Sequence, residues 1–172
     1  ARRWRPGRLC RFSIPKASGG RRELAVPPLM DRVVLEALRG PLTEEIELLL
    51  HDTAWAYRPK RSAHGAVATV EKRLTADGWM LYGDIESFFD RVLLGRMRQL
   101  LHGAIRNEGL AFTVGLFLPE GRRRGLSQGY SISPVLSNLY LTEVDRRMAA
   151  AGLAAVRYSD NILMVLPSQK EA

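Results

Sequence analysis

Residues 82–90 read Tyr-Gly-Asp-Ile-Glu-Ser-Phe-Phe-Asp, and residues 157–164 read Arg-Tyr-Ser-Asp-Asn-Ile-Leu-Met. Each stretch places an aspartate, Asp84 or Asp160, at the end of a short apolar run that is typical of a β-strand. Taken alone, each aspartate is more typical of a turn. If the two strands are neighbours, however, the carboxylates come together, and paired carboxylates on rigid strands can hold the two divalent ions of a phosphoryl-transfer site. The two stretches together therefore predict a metal site.

The composition favours a polyanionic partner. The chain has 172 residues, 26 basic against 18 acidic side chains and a formal net charge of +8, which is typical of proteins that bind nucleic acid. A basic surface that binds nothing is the alternative. With one cysteine, Cys10, no signal peptide and no apolar run near eighteen residues, the sequence predicts a cytoplasmic protein without a membrane segment.

Periodicity and turn residues predict a mixture of helices and mostly antiparallel strands. In the first predicted helix, Leu29, Val33, Val34 and Ala37 share the apolar face. In chain order, the signals predict a basic hairpin over 9–26, helices over 27–41 and 42–50, a helix capped by Ser62 and ending near Gly78, a strand over 79–83, a helix capped by Asp90, a strand over 111–118, a helix from Ser133 to Gly152, and strands over 154–158 and 162–166. This order favours an α+β fold of one domain or two associated subdomains.

Several motifs in this order resemble those of reverse transcriptases. Residues 84–90, 128–134 (Gln-Gly-Tyr-Ser-Ile-Ser-Pro) and 158–161 (Tyr-Ser-Asp-Asn) resemble motifs A, B and C, with the bacterial group II intron-like branch fitting best. Residues 14–32 and 57–62 resemble the fingers motifs of that branch. The sequences of residues 22–28 and 56–59 are most similar to those of CRISPR-associated reverse transcriptases, which are often fused to an integrase.

The resemblance implies a right-hand polymerase fold. Residues 1–77 would form the fingers, as a basic hairpin plus helices, and residues 78–172 would form the palm, in which an antiparallel sheet packs on helices. The thumb would be absent from the chain. The implied activity is RNA-directed DNA synthesis, which adds dNTPs to the 3′-hydroxyl of a primer on an RNA or DNA template.

The resemblance also implies nucleotide-binding residues. Lys16 and Arg22 match the fingers cations that clamp the incoming triphosphate, although a solvated hairpin is the alternative. Phe89 matches the steric gate that excludes a ribose 2′-hydroxyl, while Phe88 is expected in the core. Gln128 matches a residue that contacts the nucleotide or template; without the resemblance, it would be interpreted as a polar loop residue.

For the metals, the resemblance implies two Mg²⁺ ions, with Mn²⁺ as a substitute. Asp84 and Asp160 would bind them, and the main-chain carbonyl of Ile85 would add an oxygen ligand.

Five arginines are candidates for contacts with the phosphate backbone of the template or primer. They are Arg58, Arg61, Arg122, Arg123 and Arg124. Arginine suits phosphate contacts, which carry no sequence information. A solvated charge run is an equally good interpretation of the last three.

Asn161 departs from the family pattern, which has a second aspartate at this point of the catalytic turn. Asparagine keeps one carbonyl oxygen but lacks a negative charge beside the metals. The residue is consistent with an active natural variant, with a domain that has lost polymerase activity and kept nucleic-acid binding, or with a deliberate substitution. Two functions therefore stay open: a reverse transcriptase, or a catalytically weak nucleic-acid-binding module.

Overall fold

The computed structural model describes residues 5–15, 19–76 and 78–167. In chain order, its elements are β1 (Cys10–Pro15), β2 (Arg21–Val26), α1 (Leu29–Glu47), α2 (Ala63–Arg73), β3 (Trp79–Asp84), α3 (Phe88–Arg91), α4 (Leu94–Ala104), α5 (Glu108–Leu116), α6 (Ser133–Ala150), β4 (Ala154–Tyr158) and β5 (Asn161–Leu166). The strands form a β1-β2 sheet and a three-stranded sheet in the order β3-β5-β4, so the α+β class is confirmed. In the described part of the chain, no helix is long and apolar enough to cross a membrane.

The predicted basic hairpin is confirmed. Strands β1 and β2 are antiparallel, with Cys10 opposite Val26 and Pro15 opposite Arg21. Gly19 and Gly20 both have positive φ, at 86° and 82°, a region that glycine enters without steric cost.

The three-stranded sheet brings the two aspartate-bearing stretches together. Strands β4 and β5 form a tight hairpin in which Tyr158 lies opposite Asn161. Strand β3 pairs antiparallel with β5, and its last residue, Asp84, also lies opposite Asn161. The sheet therefore fixes Asp84 beside the β4-β5 turn.

Helix α2 covers one face of this sheet. Ser62 caps the helix as predicted, since its side chain accepts a hydrogen bond from the Gly65 N–H at 3.1 Å. Four buried residues then form a core between helix and sheet: Ala66 and Val70 from α2, and Val156 and Val165 from β4 and β5.

By its contacts, the chain divides into two compact units that alternate along the sequence. Among the described residues, the first comprises those up to Ile46 together with Phe89–Leu136, and the second comprises those of Glu47–Phe88 together with those from Ser137 to Pro167. Each unit is assembled from two separate stretches, and the functional division into fingers over 1–77 and palm over 78–172 stays a prediction.

Polar contacts to backbone groups organise the first unit. The Glu45 carboxylate accepts the N–H groups of Arg106 and Asn107 at 2.5 and 3.2 Å, and Asn107 caps α5. The Arg98 guanidinium donates to the carbonyl of Gly115 at 3.0 Å. These bonds satisfy backbone groups at helix ends, which would otherwise lack partners.

The prediction for the first helix was wrong in both its end and its face. Helix α1 continues through Pro41 to Glu47, so the two helices predicted over 27–41 and 42–50 are one. Its buried residues are Asp31, Leu35, Leu42 and Ile46, whereas Leu29 and Val33 are exposed. Proline inside a helix costs about 3 kcal/mol, and burial of the leucine and isoleucine side chains beyond it offsets that cost.

Two further local predictions were wrong. Residues 111–118 lie mostly in helix α5 instead of a strand; a short apolar run does not separate the two structures by periodicity. Asp90 lies inside α3, and the residue that precedes α4 is Leu93, which makes no side-chain cap.

Candidate functional site

Asp84, at the end of β3, lies next to Asp160 in the turn between β4 and β5. The Ile85 N–H, directly after Asp84, donates to the Asp160 carbonyl at 3.1 Å. This bond makes Asp84 and Asn161 a non-hydrogen-bonded antiparallel pair, in which the two Cα atoms are about 4.5 Å apart and the side chains share one face. The structure thus unites three residues that the sequence predicted as one site.

The turn between β4 and β5 is held in an unusual backbone conformation. Ser159 has a φ of 61°, a region that costs a non-glycine residue about 1–3 kcal/mol and is common at functional sites. Two contacts hold it there: the Arg157 guanidinium donates to the Ser159 carbonyl at 2.8 Å, and the Tyr57 hydroxyl donates to Ser159 Oγ at 3.3 Å. The chain directly before Asp160 is therefore fixed from two sides.

A buried polar network is connected to this turn through Arg157. Arg157 and Asp145 are both 0% exposed and form two parallel bonds, Nε to Oδ1 at 2.8 Å and Nη2 to Oδ2 at 2.6 Å. Arg157 Nη1 also donates to Asn138 Oδ1 at 3.0 Å. Sequence reasoning missed all three residues, although a charged residue inside the apolar run 154–158 was a signal that it must find a buried partner.

The donor set at the turn fits a divalent cation. Asp84 and Asp160 supply carboxylates, and the Ile85 carbonyl accepts the Phe88 N–H at 3.2 Å, which leaves its second lone pair for another partner. Mg²⁺ prefers such oxygen ligands and keeps several waters. Within residues 5–15, 19–76 and 78–167, no group of three or more His, Cys, Asp or Glu side chains is placed to hold a metal ion. At the turn, the side chain of residue 161 is an amide and does not count toward such a group.

The segment that resembles motif B is tied to the basic hairpin. The Gln128 carbonyl accepts the Ala25 N–H of β2 at 2.8 Å. Gly129 has a φ of 119°, and a Cβ atom there would lie 2.5 Å from the Ala25 oxygen. Glycine is therefore required at this position for both conformation and space. Gln128 also lines a small pocket, which it shares with Arg11 and Arg122.

The two neighbouring phenylalanines differ in environment. Phe88 is buried and meets Tyr140 edge to face, with ring centroids 6.1 Å apart, so its predicted place in the core is confirmed. Phe89 is half-buried, and its carbonyl accepts the Leu126 N–H at 2.8 Å.

The predicted cations of the hairpin are only partly described. Lys16 lies outside the described residues, and Arg22 is described by its backbone, which pairs with Ile14. In contrast, Arg122, Arg123 and Arg124 are all exposed, as phosphate-binding side chains require.

Arg58 has a different role from the predicted phosphate contact. Its side chain is 6% exposed and donates to the Glu47 carboxylate and to the carbonyls of His51 and Ala54. With its donors used inside the protein, Arg58 is a structural residue, and its assignment to a nucleic-acid surface is corrected.

Arg61 is also engaged, but it is less buried. Its guanidinium lies 4.8 Å from the Trp55 ring centroid and forms an ion pair with Asp52 at 2.5 Å. The hydrogen bond from Arg61 lowers the pKa of the Asp52 carboxyl below its ordinary value.

A carboxylate at the end of one strand and a second in the turn of the adjacent antiparallel hairpin form the arrangement of a nucleic-acid polymerase palm. The family model described as reverse transcriptase (RNA-dependent DNA polymerase) matches residues 14–172. The chain belongs to this family, whose members generally use divalent metal ions.

Related proteins support the predicted branch. Protein YkfC of Escherichia coli K12 is 36% identical over 152 residues, which cover 79% of this chain and 39% of YkfC. The group II intron-encoded protein LtrA of Lactococcus lactis subsp. cremoris is 29% identical over 144 residues, which cover 78% of this chain and 24% of LtrA. The group II intron-like resemblance is thus confirmed. The chain spans well under half the length of these relatives.

Solved structures share the fold. Apo telomerase from Candida tropicalis superimposes with a TM-score of 0.71 over 95% of this chain and 39% of the telomerase chain, at 11% sequence identity. At this identity the likeness concerns the fold, and it confirms the predicted polymerase architecture.

Proposed function

We propose that this chain is the nucleotidyl-transfer part of an RNA-directed DNA polymerase. The observation that carries the proposal is the Asp84 and Asp160 pair: Asp84 lies opposite the catalytic turn, and the next N–H bonds to the Asp160 carbonyl at 3.1 Å. Within the proposal, the functional division stays fingers over 1–77 and palm over 78–172, in a cytoplasmic setting.

The reaction joins a dNTP to a primer. The primer 3′-hydroxyl gives up its proton to solvent and its oxygen forms a bond to the α-phosphorus. The bond between that phosphorus and the bridging oxygen breaks, and pyrophosphate leaves. Two Mg²⁺ ions, with Mn²⁺ as a substitute, would activate the attacking hydroxyl and neutralise charge on the leaving group. Asp84, Asp160 and the Ile85 carbonyl would hold them. The turn containing Asp160 is kept rigid by the contacts of Arg157 and Tyr57 with Ser159.

The remaining roles concern the nucleotide. Lys16 and Arg22 would bind the triphosphate, to which charge-assisted hydrogen bonds suit both side chains. Phe89 would exclude a ribose 2′-hydroxyl, and Gln128 would contact the nucleotide or template from the turn whose backbone bonds to Ala25.

The nucleic-acid partner is an RNA or DNA template with its primer. A net charge of +8 and three exposed arginines, Arg122, Arg123 and Arg124, support backbone contacts, and Arg61 is a further candidate. One structurally similar protein, telomerase from Candida albicans, was solved in complex with a fragment of telomeric RNA. A fused CRISPR integrase remains a prediction from the sequences of residues 22–28 and 56–59.

Primer extension on an RNA template tests the proposal in the full-length protein. We expect Mg²⁺-dependent extension that Asp160→Ala abolishes, while Glu44→Ala, which alters an exposed acidic residue of α1, leaves extension unchanged. If neither the parent nor Asn161→Asp extends the primer, the nucleic-acid-binding module is the better description.

A second arm concerns sugar selection. Removing the bulk of Phe89 opens space for a 2′-hydroxyl, so Phe89→Ala is expected to incorporate rNTPs readily, and competition between dNTPs and rNTPs measures the change. An unchanged preference would contradict the gate and favour an RNA-making polymerase.

A further inference from the structure

Tyr82 makes an unassigned contact with the catalytic turn. It lies on β3 two residues before Asp84, so both side chains are on one face of the sheet. Across the strand pair Tyr82 is diagonal to Asn161, a separation within reach of an aromatic side chain. The Tyr82 hydroxyl donates a hydrogen bond to Asn161 Oδ1. That oxygen is the one atom of the Asn161 side chain able to bind a cation.

The surroundings of Asn161 favour an uncharged residue. Asn161 is half-buried and lines a pocket of about 450 Å³ whose other walls are mostly apolar; Tyr82, Tyr158 and Leu163 contribute to it. Even at a half-buried position, a carboxylate loses more hydration against apolar walls than an amide whose oxygen is hydrogen-bonded.

Position 161 also lies directly opposite Asp84. Like charges at directly opposed positions destabilise an antiparallel pair. An aspartate at 161 would therefore repel Asp84 unless a metal ion separated them, whereas Asn161 adds no repulsion.

We propose that Tyr82 is a positioning residue that holds Asn161 as an uncharged neighbour of the metal site and out of metal coordination. The inference rests on the proposed function and deepens it, since it assigns the side-chain ligands of this turn to Asp84 and Asp160 without Asn161. Under this proposal, the departure from the family pattern at Asn161 goes together with its contact to Tyr82. The Tyr82 hydroxyl, instead of a metal ion, is the partner of the residue 161 side chain.

Mn²⁺ binding to the full-length protein, followed by electron paramagnetic resonance of the free ion, tests this assignment without reference to activity. Asn161→Ala is expected to change the Mn²⁺ dissociation constant less than about twofold, because it removes no ligand, whereas Asp160→Ala should weaken binding more than about tenfold through the loss of a charged ligand. An Asn161→Ala protein that binds as weakly as Asp160→Ala would overturn the inference and leave the proposed function intact. If Asp160→Ala binds like the parent, the proposed metal site is wrong and the inference falls with it.

A double-mutant cycle isolates the tyrosine hydroxyl. In the parent, Tyr82→Phe should leave the Mn²⁺ dissociation constant within about twofold. In the Asn161→Asp background, the hydroxyl competes with the metal for a carboxylate, so removing it should tighten binding by about threefold or more, as the loss of one hydrogen bond predicts. An effect in the Asn161→Asp background no larger than that in the parent would contradict an action of Tyr82 on residue 161. Matching circular dichroism spectra establish that each variant is folded.

Discussion

Replacement of Asp145 by alanine should be among the most destabilising single changes in the second unit. Arg157 is 0% exposed and would lose both bonds to the carboxylate, at 2.8 and 2.6 Å. Its remaining partners, Asn138 and the Ser159 carbonyl, are neutral and do not compensate a buried positive charge. Breaking a buried ion pair from one side costs about 3–5 kcal/mol, and we expect the free energy of unfolding to fall by that amount.

Urea denaturation followed by circular dichroism measures this loss, since the unfolding free energy depends linearly on urea concentration. Glu143→Ala is the matched control. Glu143 pairs with Arg147 one helical turn later on the same helix, but the side chains are 51% and 80% exposed. Such exposed pairs contribute about 0.3–0.5 kcal/mol. A loss below about 1 kcal/mol for Asp145→Ala, or one equal to that of the control, would refute the role given to this network.

Two further predictions concern Gly129 and Tyr130, which both lie in the first unit. Gly129→Ala should lower the free energy of unfolding by more than about 2 kcal/mol, because the backbone has positive φ and the new Cβ would meet the Ala25 oxygen at 2.5 Å. Gly152→Ala is the control: its φ is 69° and the space around it is open, so it should cost about 1–2 kcal/mol. Urea denaturation compares the two variants. Burial raises the pKa of the Tyr130 hydroxyl, so its contribution to stability is present below the ordinary tyrosine pKa of about 10 and is lost as the pH rises through the higher folded value. Tyr130→Phe should therefore lose less stability than the parent between about pH 9 and 12 when thermal melts are compared across this range; parallel losses would contradict the shift.

Local signals in the sequence were sufficient for most elements of the second unit. The Ser62 cap and the short apolar runs of β4 and β5 each depend on residues close in sequence, and the structure contains them. The pairing of Asp84 with the turn was also predictable, because two apolar strands that each end in aspartate suggest one site.

Tertiary contacts decided the elements that were predicted wrongly. Pro41 normally ends a helix, yet α1 continues because Leu42 and Ile46 are buried beyond it. Residues 111–118 are apolar almost throughout, and the Asn107 cap, which favours a helix, lies outside that run.

The same limit applies to the site. Arg157 could be recognised as unusual inside an apolar strand, but its partners on α6 are distant in sequence. Likewise, the contact between Tyr82 and Asn161 depends on strand register, which no local pattern specifies.

The central claim is that Asp84 and Asp160 act together as the metal ligands of a DNA-synthesising site. The most direct test is the single-turnover rate of dNTP incorporation on an RNA template by Asp84→Asn, which keeps the size of the side chain and removes its charge. Metal stabilisation of the transition state contributes several kcal/mol, so we predict a rate at least about 10²-fold lower at saturating Mg²⁺. A rate within about threefold of the parent, equivalent to less than 1 kcal/mol, would contradict the account.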